Sequence, residues 1–198
     1  MNTVTPRALA VSLLSLPALA LAEIGDVPSG EYSLDNSHGY VLFSYSHLGF
    51  SNPQVGFDSF DVTLDLDTEN PADSEVQVSI DATSVNSRVA EFNEHLNGER
   101  FFDTARYPTI EFVSTDIVPT SGDQYEVTGN LTIKDITRPV TLEAVINKAG
   151  QHPMLNVPTV GISAQATVKR SDWGLDYAVP AVSDEVTITI EVEMLQPE

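Results

Sequence analysis

The sequence contains no cysteine, a single tryptophan and only nine Lys and Arg among 198 residues. Without cysteine there is no disulfide, no thiol nucleophile, no cysteine-ligated metal and no lipid anchor attached through a cysteine. Stability must then come from a packed core. The chain is long enough to build one, since a domain of this size buries roughly 70% of its unfolded surface. The few cations face 29 Asp and Glu, for a formal net charge of −20. A surface so acidic repels nucleic-acid phosphates and anionic lipid head groups, so no nucleic-acid partner is expected. Also missing are an internal repeat, a low-complexity tract, a nucleophile elbow and a glycine-rich phosphate loop. Nothing in the sequence signals catalysis.

The amino terminus carries an address. Arg7 precedes an almost uninterrupted apolar run from Ala8 to Leu21, and Ala20-Leu21-Ala22 has the small-x-small pattern of a cleavage site. The run falls short of the roughly 20 residues a membrane span needs, and Pro17 interrupts it. Residues 1–22 therefore read as a signal peptide cut after Ala22, with no stable membrane anchor left behind. Residues 23–198 form one exported domain.

Downstream, apolar residues recur at every second position, the period of a half-buried strand. Tyr32 and Leu34 begin the series, followed by Val41, Phe43 and Tyr45, then Val55 and Phe57. Phe60, Val62, Leu64 and Leu66 resume in the opposite phase, which requires a bulge or bend near Gly56 or in the step between Phe57 and Phe60. Val76, Val78 and Ile80 follow, then Ile110 and Phe112, the 125–133 and 140–146 runs, Ile162 to Val168 and Val186 to Met194. Polar turns at Glu69-Asn70-Pro71, Ser121-Gly122-Asp123, Asp135 to Thr137 and Gly150 to Pro158 separate them. Eight or nine short strands of this kind predict an all-β antiparallel sandwich or barrel. Ser84 to Arg100 breaks the alternation. Val89, Phe92 and Leu96 stand there at helical spacing, with Ser87 as a cap and Gly98 as a stop, which predicts one short helix across a barrel end.

Other constellations are weaker. His38, His47 and His95 lack the close spacing of a ligand set, so no metal and no cofactor is expected. In a chain this acidic, carboxylate pairs such as Glu91 and Glu94 are expected to be solvated rather than catalytic. Lys169 to Gly174 concentrates scarce cations beside the only tryptophan. That stretch suits a head-group contact, or, as the favoured reading, a strand end with Asp172 pairing locally and Trp173 plugging the barrel. Arg88 and Arg100 flank the helix and are the next candidates.

Several blocks taken together resemble the YceI-like family of exported, lipocalin-like barrels. They are Tyr32 to Asp35 with His38, His47 to Ser51, Glu94 to Leu96, Phe101 to Asp103, Tyr107 to Phe112 with Ser114, Gly129 to Ile133, Thr137 to Val140, Lys169 to Gly174 and Asp184 to Val186. The resemblance implies an eight-stranded antiparallel lipocalin-like β-barrel with one short helical segment, holding a polyisoprenoid or other long-chain amphiphile such as a quinone precursor. It implies a non-enzymatic periplasmic carrier, with pairing into a homodimer left open. Phe43, Phe57, Phe60, Ile80, Phe112, Leu131 and Ile133 are expected to line the tunnel. Phe92, Leu96, Phe101 and Phe102 are expected near one end as a lid or as packing that caps the barrel, and Trp173 near an end. The chain departs from the family pattern at Asn93 and Asn97, where charged residues are frequent, at the glycine-free turn Lys134-Asp135, and at Ile162. Two other readings stay open, a filled barrel acting in stress response or interaction and, more remotely, a hydrolase.

Overall fold

Each alternating segment must bury one face, and eight of them suffice for a sheet to close on itself. The computed structural model describes residue 24 and residues 27–197, so the expected signal peptide, residues 1–22, lies outside the described residues. Eleven strands follow in order: β1 (Gly30–Leu34), β2 (Tyr40–His47), β3 (Gln54–Phe57), β4 (Phe60–Leu66), β5 (Glu75–Asp81), β6 (Val85–Asn86), β7 (Thr109–Ser121), β8 (Gln124–Ile133), β9 (Ile136–Gln151), β10 (Pro158–Lys169) and β11 (Val182–Leu195). One helix, α1 (Ala90–Asn97), lies between β6 and β7.

Strands β1, β4, β5, β7, β8, β9, β10 and β11 pair in that order, and β11 returns to β1 through Leu34 opposite Met194. The result is the expected closed, eight-stranded antiparallel barrel of lipocalin-like kind. The three remaining strands are continuations. β2 runs along β11 beyond β1, β3 pairs with β2, and β6 pairs with β3. Each of the first three barrel strands is thus one long strand broken in two, at residues 35–39, 58–59 and 82–84. The middle break absorbs the expected phase change, since Val55 and Phe57 face inward on β3 and Phe60, Val62, Leu64 and Leu66 do so on β4. At the third break Asp81 accepts a hydrogen bond from the Thr83 amide at 2.9 Å, which turns the chain into a single 3₁₀ turn.

The two ends of the barrel differ. At one end Tyr32, Val160 and Met194 are fully buried, and the Tyr32 hydroxyl donates to the Pro28 carbonyl at 2.7 Å, tying the entering segment across the base. At the other end the β2–β3 turn, the α1 segment, the β8–β9 hairpin and the β10–β11 connection gather around an opening. That hairpin turns on Lys134 and Asp135 alone, with Lys134 taking the left-handed conformation (φ 58°) without help from glycine.

The helix is shorter than the spacing predicts and is capped differently. It starts at Ala90, and Val89 at its N-cap makes no side-chain hydrogen bond. Instead the Asn93 side-chain oxygen reaches back to accept from the Ser87 amide at 2.7 Å and the Ser87 hydroxyl at 2.6 Å. Asn97 bonds Thr104 Oγ1 at 2.7 Å and donates to the Asn93 carbonyl at 2.9 Å. The two asparagines that depart from the family pattern therefore staple the helix to its flanking loops. Gly98 ends the helix at φ −74°, so its lack of a side chain is not needed for a left-handed cap.

Candidate functional site

Inward side chains of the open half leave a cavity of about 660 Å³. Sites for small molecules typically fall between roughly 300 and 1,000 Å³. Its wall takes Val78 and Ile80 from β5, Ile110 and Phe112 from β7, Leu131 and Ile133 from β8, Val140 and Leu142 from β9, and Val186, Ile188 and Ile190 from β11. Below these the interior is filled: Ile117, Tyr125, Ala144, Val160, Val192 and Met194 are buried and stand outside the lining. Among the described residues the space therefore ends on these buried side chains as a blind pocket, where a tunnel was expected. The alanine pair Ala164 and Ala144, opposite each other on β10 and β9, belongs to the filled half and creates none of the space.

Aromatic rings close much of the mouth. Phe102 stands edge-on to Phe43 at 6.1 Å and to Phe57 at 5.7 Å between ring centres. Nearer the entrance, Phe101 meets Phe92 at 6.4 Å and Tyr177 at 5.6 Å, and the Arg100 guanidinium lies 5.1 Å from the Tyr177 ring. The α1 segment and the β10–β11 connection thus touch across the opening through one ring-edge contact, Phe101 to Tyr177, and one cation–π contact. These are worth about 1 kcal/mol each, weak enough for the lid to part.

Polar groups in the lining are few and concentrate near the mouth. Arg170 donates from Nε to the Ser183 carbonyl at 2.9 Å, from Nη2 to the Val182 carbonyl at 3.1 Å, and from Nη1 to the Leu175 carbonyl. Partial burial lowers its pKa, opposed by the charges of Asp184 and Asp176 and by Tyr45. Burial raises the Tyr45 phenol, partly offset by the Arg170 cation. Arg170 therefore clamps the β10–β11 connection. Its local carboxylate is Asp184, which accepts from the Ser171 amide at 2.9 Å and the Ser171 hydroxyl at 2.7 Å, and not the expected Asp172. Trp173 is buried and donates from Nε1 to the Leu131 carbonyl at 3.2 Å, so it forms wall as well as plug.

Of the expected lining and lid residues, the structure brings eleven to the cavity: Phe43, Phe57, Ile80, Phe92, Leu96, Phe101, Phe102, Phe112, Leu131, Ile133 and Trp173. Phe60 is buried but not part of the wall. The Asp58–Ser59 break carries it into the next layer down, where its ring tip lies 3.0 Å from the place a β-carbon on Gly39 would take. Tyr45, Tyr177 and the inward face of β11 also line the cavity outside the expected set, as do His47, weighed in the sequence as a metal ligand, and Arg170, part of the Lys169 to Gly174 stretch. For β11 the signal was present in the Val186-Ile188-Ile190 alternation. For Tyr177 it was not, because that residue sits in a connection without periodicity.

The histidines do not converge. Among the described residues one group with metal-ligand composition forms, Asp35, His38 and Glu193, on the outer wall at the first strand break. Hydrogen bonds explain it. Asp35 accepts from the Ser37 hydroxyl, from His38 Nδ1 at 2.8 Å and from the Ser37 amide at 2.9 Å, and these hold its carboxyl down at about 2. The Asp35 hydrogen bond, then the Glu193 charge, raise the His38 imidazole above its usual value. Because the folded state favours ionised Asp35, its contribution is complete above the ordinary value of 3.8 and fades as pH falls toward about 2. The raised His38 acts oppositely, contributing below its ordinary value of 6.5 and losing that contribution as pH rises through its folded value. Asp35→Asn is expected to cost about 1 kcal/mol at neutral pH. Thermal melts should show its difference from wild type shrinking as pH falls from about 4 toward about 2; a difference constant over that range would refute the account.

A profile of the YceI-like domain matches residues 32–194. Protein YceI of Escherichia coli O157:H7 is 36% identical over 188 residues, covering 93% of this chain and 97% of that protein. A UPF0312 protein of Pectobacterium atrosepticum is 35% identical over 185 residues, covering 92% of this chain and 95% of its own length. Among solved structures, Burkholderia cenocepacia BcnA superposes with a TM-score of 0.74 at 26% identity, over 81% of this chain and 98% of that one. A polyisoprenoid binding domain from Saccharophagus degradans, implicated in plant cell wall breakdown, superposes at 0.62 with 17% identity over 84% and 98%, a likeness of fold.

Proposed function

Because this chain belongs to the YceI-like family, we propose that it is a non-enzymatic carrier holding a polyisoprenoid or other long-chain amphiphile, such as a quinone precursor, in the periplasm. The observation that carries this reading is the blind cavity of about 660 Å³ walled by Val, Ile, Leu and Phe. An apolar chain gains about 0.8 kcal/mol for each methylene removed from water, so ten buried methylenes supply about 8 kcal/mol, enough for micromolar affinity. Polar lining side chains at the mouth leave the head of such a molecule near solvent while its tail enters the blind end. The fold supports the same cargo class, as the S. degradans domain of this architecture is a polyisoprenoid binder. Residues 1–22 supply the export signal, and among the described residues no helix is long and apolar enough to cross a membrane.

Native mass spectrometry and organic extraction of protein purified from its own host test the proposal. A bound long-chain molecule is expected, and an interior that stays empty and refuses prenyl lipids would sink it. Ile188→Trp narrows the cavity from the β11 wall. Displacing two methylenes costs about 1.6 kcal/mol, so affinity for a prenyl probe is expected to fall about fifteenfold with melting nearly unchanged. Equal affinity in the variant would place the ligand elsewhere. Turnover that disappears in His47→Ala with binding intact would favour an enzyme instead.

A further inference from the structure

The rim of the mouth carries a surface that the carrier reading does not require. Phe50, 88% exposed, and Leu48, 52% exposed, form the tip of the β2–β3 turn. Leu48 and Gly49 both take left-handed backbone conformations (φ 53° and 75°), which hold the tip as a tight projection, and a β-carbon on Gly49 would meet nothing within 4 Å. Val89 and Tyr177 are also about half exposed, and both line the cavity as well. An apolar path therefore runs from the interior over the rim toward the projecting tip. Isolated exposed apolar residues need no explanation, but several grouped at one opening mark an interaction surface.

Charge chooses the occupant. Segments 87–108, 134–138 and 169–185, all at the mouth end, hold seven of the nine Lys and Arg and nine of the 29 Asp and Glu. The mouth end thus comes close to neutral in a chain of net charge −20, while the rest of the barrel is almost purely acidic. Arg88, Arg100, Arg106, Arg138 and Lys169 are exposed there. A nearly neutral, arginine-bearing rim with apolar projections matches a zwitterionic bilayer: the tips enter the interface, the cations meet lipid phosphates, and fields beyond about 10 Å are screened. The acidic remainder disfavours any other approach. The opposite end offers a built-in comparison, because Met154 and Leu155 are also exposed, at 83% and 53%, yet stand in the acidic half.

We infer that the mouth rim, with Leu48 and Phe50 as its inserting tip, is a docking surface for a zwitterionic phospholipid bilayer, which sets the cavity opening against the membrane. The inference deepens the carrier reading, and its readout is independent of it. The chain from residue 23 onward, which contains every strand of the closed barrel, is sedimented with vesicles of phosphatidylcholine and phosphatidylethanolamine. In parallel, loading of a short prenyl probe is measured in solution without vesicles. Wild type is expected to co-sediment. Leu48→Asp/Phe50→Asp is expected to bind vesicles about tenfold less while loading the soluble probe as wild type does, and Met154→Asp/Leu155→Asp to bind as wild type does. Absence of wild-type binding would overturn the docking surface and leave the carrier reading standing, as would equal losses in both double variants. Vesicle binding without probe loading would uphold docking and count against the carrier.

Discussion

Trp173→Ala is expected to lower stability by about 3–5 kcal/mol, the range for removing a large aromatic side chain from a filled site. Trp173 is 2% exposed, and its indole is held from two directions. Its Nε1 bonds the Leu131 carbonyl at 3.2 Å, and the 3₁₀ turn Arg170–Trp173 carrying it ends at Gly174, whose left-handed conformation (φ 70°) turns the Leu175 amide back onto the Arg170 carbonyl at 3.2 Å. The alanine variant loses the packing, opens a void beside the cavity and leaves Leu131 without its donor. For a domain whose total stability is about 5–15 kcal/mol, this is a large fraction, equivalent to a fall in Tm of about 10 °C or more. Trp173→Phe keeps most of the ring contact and loses the hydrogen bond, so it should cost only about 1–2 kcal/mol. Denaturant melts of both variants decide the matter. A loss below about 1 kcal/mol for alanine would mean that the indole is a loose cover rather than part of the wall.

The second large effect needs only one methyl group. Gly129 lies on the inward face of β8, and a β-carbon there would stand 2.6 Å from the Val113 carbonyl oxygen and against the Phe112 ring. The ring is a side chain and can swing; the carbonyl belongs to the β7 backbone and cannot move alone. Gly129→Ala is therefore expected to cost about 2–3 kcal/mol, the upper part of the overpacking range. Because Phe112 lines the cavity, its displacement is also expected to weaken prenyl-probe binding, a change that a purely backbone effect would not produce. Phe112→Leu in the Gly129→Ala background should restore part of the stability. If Gly129→Ala melts like wild type, the close approach of the Phe112 ring to β8 is not a feature of the folded protein.

Much of this molecule can be read from one dimension. Alternation is a local property, so Val76-Val78-Ile80 or Val186-Ile188-Ile190 declare which face they bury whatever partner they meet. The phase change between Phe57 and Phe60 likewise announced a break, which the structure has at Asp58–Ser59. What alternation cannot report is depth along the barrel axis. Phe60 and Phe57 are equally apolar and equally inward, yet only Phe57 reaches the cavity, because depth depends on register with strands far away in sequence. The roles of Asn93 and Asn97 were hidden for a related reason, since their bonds span the helix and its flanking loops.

By itself, then, the sequence determined a disulfide-free, acidic, antiparallel β-protein with one short helix, because strand period, turn chemistry and charge are encoded within a few residues of each other. Tertiary structure alone decided that the interior is a pocket with a filled base. Whether inward side chains meet depends on closure of the ring through β1 and β11 and on the volumes facing one another across it. It also decided that the few cations gather around the single mouth, because hairpin connections bring the ends of distant strands to the same side of the barrel.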